Sequence, residues 1–126
     1  MEILIESLIW HDAVIQLIET SELDNSLKMR VSFTNFEQPF SKMCLRDVVS
    51  AVILFNKVNV LNTLNIKILL EKKQDSWEAE VLSSNIRMEN QINLFSLFVK
   101  IENDETKDEY LEINFIYESG RILSIE

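Results

Sequence analysis

Three separate stretches of this chain alternate apolar and polar residues with a period of two. In Ser26–Phe33, Leu27, Met29, Val31 and Phe33 fall on one side, and Ser26, Lys28, Arg30 and Ser32 on the other. Phe95, Leu97, Val99 and Ile101 alternate with Leu94, Ser96, Phe98 and Lys100. Leu111, Ile113, Phe115 and Tyr117 alternate with Tyr110, Glu112, Asn114 and Ile116. Successive side chains of an extended chain point to opposite faces, so each stretch reads as a strand with one buried and one wet face. That is the pattern of an antiparallel sheet.

Weaker signals extend the sheet. Ala13–Glu19 is apolar on both faces except at Gln16, as in a more central strand. Asn65–Leu70 reads as a strand, and Trp77, Ala79 and Val81 alternate with Glu78 and Glu80. With one glycine and one proline in the chain, turns fall to Asn, Asp and Ser, which bond locally to the backbone. Asp24-Asn25 is a hairpin turn on this reading, and the polar link Glu102–Glu109 joins its flanking strands as a hairpin. Gly120 is expected to take positive φ in a turn, with Arg121–Ile125 pairing back as a last strand.

Asp47–Phe55 fits two descriptions. Val48, Ala51, Val52 and Phe55 have helical spacing behind a possible N-cap, Asp47, whereas its β-branched residues favour a strand. Met1–Ile9 reads as a short edge strand or one helical turn. Asn56, Asn59, Asn62 and Asn65 recur at a spacing suited to a loop or helical turn. The expected fold is mainly β, or α+β with one short helix: an antiparallel sheet of about seven or eight strands, curled or sandwich-like.

A chain of 126 residues is expected to form one domain. Its 12 basic and 21 acidic residues leave a net charge of -9. That opposes binding to nucleic acid or to an anionic membrane surface, and favours a basic partner. Glu2 and Glu6 stand where a signal peptide needs positive charge, and Val48–Phe55 is far short of the roughly 20 apolar residues of a membrane span. A cytoplasmic protein is expected. The one Cys, Cys44, sits among apolar neighbours and reads as a small core thiol. One Cys and one His make no zinc cluster. There is neither a glycine-rich phosphate loop nor a G-x-S-x-G elbow. No cofactor or metal is expected.

Two groups of residues are candidates for function. The only histidine, His11, lies between Trp10 and Asp12. Neighbouring strand residues point apart, so Asp12 is not expected to orient His11 if both are strand residues, whereas in a turn it could, through its backbone or side chain. The triplet reads as a structural anchor in which Trp10 packs and Asp12 caps the turn into the first strand. The role of His11 stays open. The acidic link carries Glu102, Asp104, Glu105, Asp108 and Glu109. Its spacing does not fit an EF-hand loop, which leaves a solvated tip, a docking surface for a basic protein or a weak divalent-ion site. Trp77, Tyr110 and Tyr117 suit either a sheet or an interface.

Trp10-His11-Asp12-Ala13, followed by an apolar strand and the alternating Ser26–Phe33, resembles the opening of a group of small bacterial proteins. These begin with a W-H-D-[A/S] signature and two β-strands, and some resemble immunity proteins of polymorphic toxin systems. The resemblance covers residues 8–33 and implies no catalytic residues. The glycine-bearing turns expected in such proteins have no counterpart here, so it carries no strand order beyond that point. The expected function is a non-enzymatic protein-binding domain, in its concrete form an acidic immunity-type inhibitor of a basic toxin. Two alternatives stand beside it. One is a structural or oligomerising domain that pairs through a sheet edge. The other is a small-ligand binder or enzyme using His11, Asp12 and Cys44.

Overall fold

The computed structural model describes residues 5–35, 38–41, 47–60, 78–102 and 108–125. Among these residues a short 3-10 turn, Ile5–Ser7, precedes eight strands. These are β1 Val14–Ser21, β2 Ser26–Thr34, β3 Val48–Asn56, β4 Asn59–Val60, β5 Ala79–Glu89, β6 Ile92–Ile101, β7 Glu109–Tyr117 and β8 Ser119–Ile125. They form one antiparallel sheet in the order β4-β7-β6-β5-β1-β2-β3-β8, in which β4 is a two-residue stub. The expectation of a mainly β, antiparallel fold holds.

The ambiguous Asp47–Phe55 segment is a strand. β3 pairs with β2 from Thr34↔Val48 to Leu27↔Phe55, burying Val49, Ala51, Ile53 and Phe55. The helical spacing of Val48 and Val52 loses to β-branching and to this long ladder. Of the opening segment, Ile5–Ser7 makes one helical turn, and residues 1–4 lie outside the described residues. The expectations for Cys44, Asn62, Asn65–Leu70 and Trp77 lie outside the described residues.

The sheet is strongly curled. Along the strand order Phe55 on β3 and Phe95 on β6 are four steps apart, which is about 19 Å in a flat sheet. Their rings meet edge to face at 5.1 Å. Phe55 also meets Phe115 at 4.9 Å and Tyr117 at 5.1 Å. Phe95 stacks on Phe115 at 4.6 Å, and Trp10 touches Phe33 and Phe95, each at 5.2 Å. Only a sheet folded round on itself brings these rings together.

Bulges supply the curvature, because an extra residue bends a strand and increases its twist. Gln16 in β1, Leu82 in β5 and Leu123 in β8 each interrupt the regular register. The bulge in β1 also explains its apolar character. Ile15 and Ile18 are three residues apart, yet both are fully buried, since Gln16 resets the alternation between them.

The sheet does not close: its order starts at β4 and ends at β8. The two ends nevertheless meet at one corner. β4 continues β3 after Lys57-Val58, and β8 continues β7 after Glu118 alone. One register runs through both ladders, from Val60↔Phe115 and Asn59↔Ile116 to Asn56↔Ser119 and Phe55↔Gly120. Lys57 turns the corner with φ 51°. The Glu118 N–H bonds the Asn56 carbonyl at 3.0 Å, and Lys57 Nζ lies 3.1 Å from Glu118 Oε2. The β1–β2 turn docks on the same corner through Val58 N–H to the Asn25 carbonyl at 2.7 Å. Asn25 has φ 54° in that turn, as its sequence anticipates.

Gly120 is used differently from expectation. It lies within β8, paired with Phe55, and its φ is not positive. β8 pairs with β3 rather than turning back on β7. What matters is clearance, since a Cβ at Gly120 would lie 3.0 Å from Ile5 Cγ1 and 3.2 Å from Phe55 Cδ1. Gly120→Ala is therefore expected to lower stability by about 1–3 kcal/mol through overpacking, read as a lower denaturant midpoint at unchanged slope.

Tyr117 supplies a second prediction. Burial, helped by the Glu6 carboxylate, raises its hydroxyl pKa from 10.0 to about 12. The folded chain then keeps a proton that the unfolded chain has lost. The stability this confers is full below pH 10.0 and is lost as pH rises towards about 12. The expected loss is on the order of 2 kcal/mol. Tyr117→Phe should remove that part of the alkaline loss, as measured by unfolding at successive pH values.

Candidate protein-binding face

The Trp10-His11-Asp12-Ala13 stretch is a tight turn at the entrance to β1. The Ala13 N–H bonds the Trp10 carbonyl at 2.9 Å, and Asp12 has φ 66°. Positive φ at the third residue alone is type II geometry. Trp10 points into the core and is 2% exposed, with Nε1 3.4 Å from the Ile5 carbonyl. Across the turn, Gln38 holds Ile9 with both ends of its side-chain amide. Its Oε1 accepts the Ile9 N–H, and its Nε2 donates to the Ile9 carbonyl, each at 2.9 Å.

Of the two expectations for His11 and Asp12, strand or turn, the structure has the turn, and the two side chains meet. His11 Nδ1 lies 3.0 Å from Asp12 Oδ2, with both side chains about two-thirds exposed. A carboxylate at Nδ1 leaves Nε2 facing outwards, an arrangement shared with general bases. Here the pair is about two-thirds exposed, so solvent screens it. Asp12 serves the turn through its backbone: its N–H bonds the Val81 carbonyl at 3.0 Å, and Val81 N–H bonds the Ala13 carbonyl at 2.8 Å. Among the described residues no three His, Cys, Asp or Glu side chains gather as metal ligands.

The acidic link divides. Glu102 and Asp108 are exposed, whereas Glu109 opens β7 opposite Ile101, on the core-facing alternation, and is half-buried. Asp104 and Glu105 lie outside the described residues. Glu102 instead joins a group on the outer face of β5, β6 and β7. Lys100 Nζ is 3.6 Å from Glu102 Oε1 and 3.7 Å from Glu80 Oε2. The Glu80 carboxylate foremost, then those of Glu102 and Asp108, raise the Lys100 pKa against an opposing effect of desolvation.

Beside this group stand two exposed aromatic rings. Phe98 is 37% exposed and Tyr110 is 55% exposed, stacked at 6.0 Å with 18° between their planes. They are diagonal neighbours in the β6–β7 ladder, where Lys100 faces Tyr110 and Phe98 faces Glu112. The next row is a polar lock, with Ser96 Oγ donating to Asn114 Oδ1 and Asn114 Nδ2 3.4 Å from Glu112 Oε2. The outer face thus offers two flat rings with Glu80, Glu102, Asp108 and Glu112 around them.

No family model, curated protein or solved structure matches this chain. The chemistry of the face therefore rests on its own residues. Tyr110 was placed on the wet face by alternation, and Phe98 carried the same signal: both sit among the polar residues of their strands. That parity was legible. The meeting of Glu80 with Lys100 depends on the β5–β6 pairing, which no local pattern encodes.

Asp12 allows a direct test of backbone against side-chain roles. Asp12→Ala should cost about 1 kcal/mol, because alanine resists left-handed φ, and Asp12→Gly should cost little or nothing. Equilibrium unfolding of both variants measures the difference.

Proposed function

We propose that this protein is a non-enzymatic binding domain whose partner is a basic protein, in its concrete form an acidic immunity-type inhibitor of a basic toxin. The observation that carries this reading is the stacked, exposed Phe98–Tyr110 pair among Glu80, Glu102, Asp108 and Glu112. Flat rings bury much area at small entropic cost and attract guanidinium and ammonium groups to their faces. The surrounding carboxylates and the net charge of -9 accelerate the approach of a cation and orient it. Inhibition on this reading is occlusion, in which a positively charged active site is covered by the acidic face. The resemblance of the opening residues 8–33 to immunity-type proteins points the same way.

Affinity capture of the proteins encoded beside its gene, at low and at high salt, tests the proposal. The expected result is a basic protein bound at low salt, with affinity falling as salt rises. Phe98→Ala and Tyr110→Ala should each weaken the complex by about tenfold or more. Charge reversal at Glu102, Asp104, Glu105, Asp108 and Glu109 should slow association. A complex indifferent to both sets of changes would sink the reading.

A further inference from the structure

β5 has a free half. Its neighbour on one side, β6, accompanies it from Ala79↔Ile101 to Glu89↔Ile92. On the other side β1 pairs only at Ile15↔Ala79 and Val14↔Glu80, followed by the two backbone bonds between Val81 and the Asp12-Ala13 peptides. There the chain leaves the edge. In the antiparallel sense, the segment that would continue beside Ser83–Glu89 is the one before Ala13, and the Trp10–Ala13 turn carries it into the interior. Among the described residues nothing else pairs with β5 beyond Val81. Ser83, Ser84, Asn85, Arg87, Met88 and Glu89 are exposed, Met88 at 68%.

The direction of the unpaired backbone groups follows from the hairpin. Asn90 and Gln91 have φ 52° and 66°, the signature of a two-residue type I′ turn. Such a turn makes Glu89 and Ile92 a hydrogen-bonded pair, so Arg87 and Asn85 also face β6. The N–H and C=O groups of Ser84, Ile86 and Met88 point the other way, to the open edge. After the Leu82 bulge this edge has no proline and no lysine, and its two charges, Arg87 and Glu89, pair with each other.

We propose that this edge pairs with the same edge of a second copy, joining two sheets across a two-fold axis. The sequence of the edge is self-complementary in one register. With Ile86 opposite its own copy, Ser84 faces Met88 and Asn85 faces Arg87 across the axis. Ser83 then faces Glu89, and no like charges stand directly opposite. All three outward-facing residues take part in the ladder, and Ile86 and Met88 form an apolar seam on the inner side. A shift of two residues in one direction sets Arg87 against Arg87, and the opposite shift runs the ladder into the Leu82 bulge, so both are disfavoured. Arg87 and Glu89 neutralise one another within each strand at 3.1 Å, so this acidic protein meets itself where its charge is balanced. The partner is a second copy because the edge fits itself in length, charge and backbone direction at once.

Sedimentation from micromolar to millimolar protein tests this, with amide hydrogen exchange at both ends of the range. The expected result is a concentration-dependent monomer–dimer equilibrium in which the Ser84, Ile86 and Met88 amides gain protection as dimer forms. Ser84→Pro, which removes an outward N–H at an exposed site, and Met88→Lys, which charges the seam, should each weaken the dimer by about tenfold or more. Both should leave monomer unfolding close to that of the parent chain. A strict monomer at millimolar concentration overturns the proposal. So does a dimer insensitive to both variants, or protection of these amides in the dilute monomer, which would mean that the chain itself covers the edge.

Discussion

The contact of Phe55 with Phe95 sets the shape on which the rest of the structure depends. Strand pairing alone is satisfied equally by a flat sheet, which would leave these rings far apart and one face of every strand wet. Bringing them to 5.1 Å makes the inner faces of β2, β3, β6 and β7 into one another's cover. The enclosed space is narrow and is filled by side chains, as in small barrels. Curvature of this degree requires strands that bend, hence the extra residues at Gln16, Leu82 and Leu123. It also requires clearance where walls approach closely, and Gly120 provides it between Ile5 and Phe55.

The Trp10–Ala13 turn is where competing demands are resolved. The chain before β1 has two uses for itself. It could continue along β5 and satisfy that edge, or it could turn inwards and fill the mouth of the curled sheet. An edge left open still bonds to water, so each added backbone hydrogen bond contributes about 1 kcal/mol net. Burying a tryptophan removes roughly 200 Å² of largely apolar surface from water, on the order of 5 kcal/mol. Ile5 and Leu8 are buried by the same inward turn. Core filling wins, and the free half of β5 is its consequence.

Much of the sheet was legible because strands with one wet face announce themselves by alternation. Leu27, Met29, Val31 and Phe33 are all buried as their period requires, and so are Ile113, Phe115 and Tyr117. Legibility failed where a residue's role is set by distant neighbours. Ser83–Glu89, paired on one side only among the described residues, has just Ile86 and Met88 as apolar residues and so gives a weak alternation signal. Asn90-Gln91 lacks the glycine that usually marks a type I′ turn, and the twist of the two strands imposes positive φ on glutamine. Gly120 looked like a turn residue because Glu118 and Ser119 precede it. The strand after it pairs with β3 through the corner, a partner some 65 residues away that local pattern cannot name. For the candidate face, the acidic link was visible as composition. The pairing that puts Glu80 and Glu102 on either side of Lys100 was not.

The two surfaces proposed here are compatible in one molecule, and distance decides it. A two-fold axis at Ile86, perpendicular to the sheet, keeps the outer faces of both copies on the same side. The Glu80–Lys100–Tyr110 row lies five paired positions from that axis, because Leu82 is bulged out of the ladder, or about 17 Å along the strand. The antiparallel arrangement sends the two rows in opposite directions, so along the strands these rows stand about 33 Å apart and the Glu112 row, three positions from the axis, about 20 Å apart. The Debye length at physiological salt is about 8 Å. Repulsion between the faces is therefore screened at the axis, where Arg87 and Glu89 leave no net charge of their own. Each face also keeps its Phe98–Tyr110 pair clear of the seam, because the outward alternation that exposes those rings is the one that Ile86 and Met88 do not share.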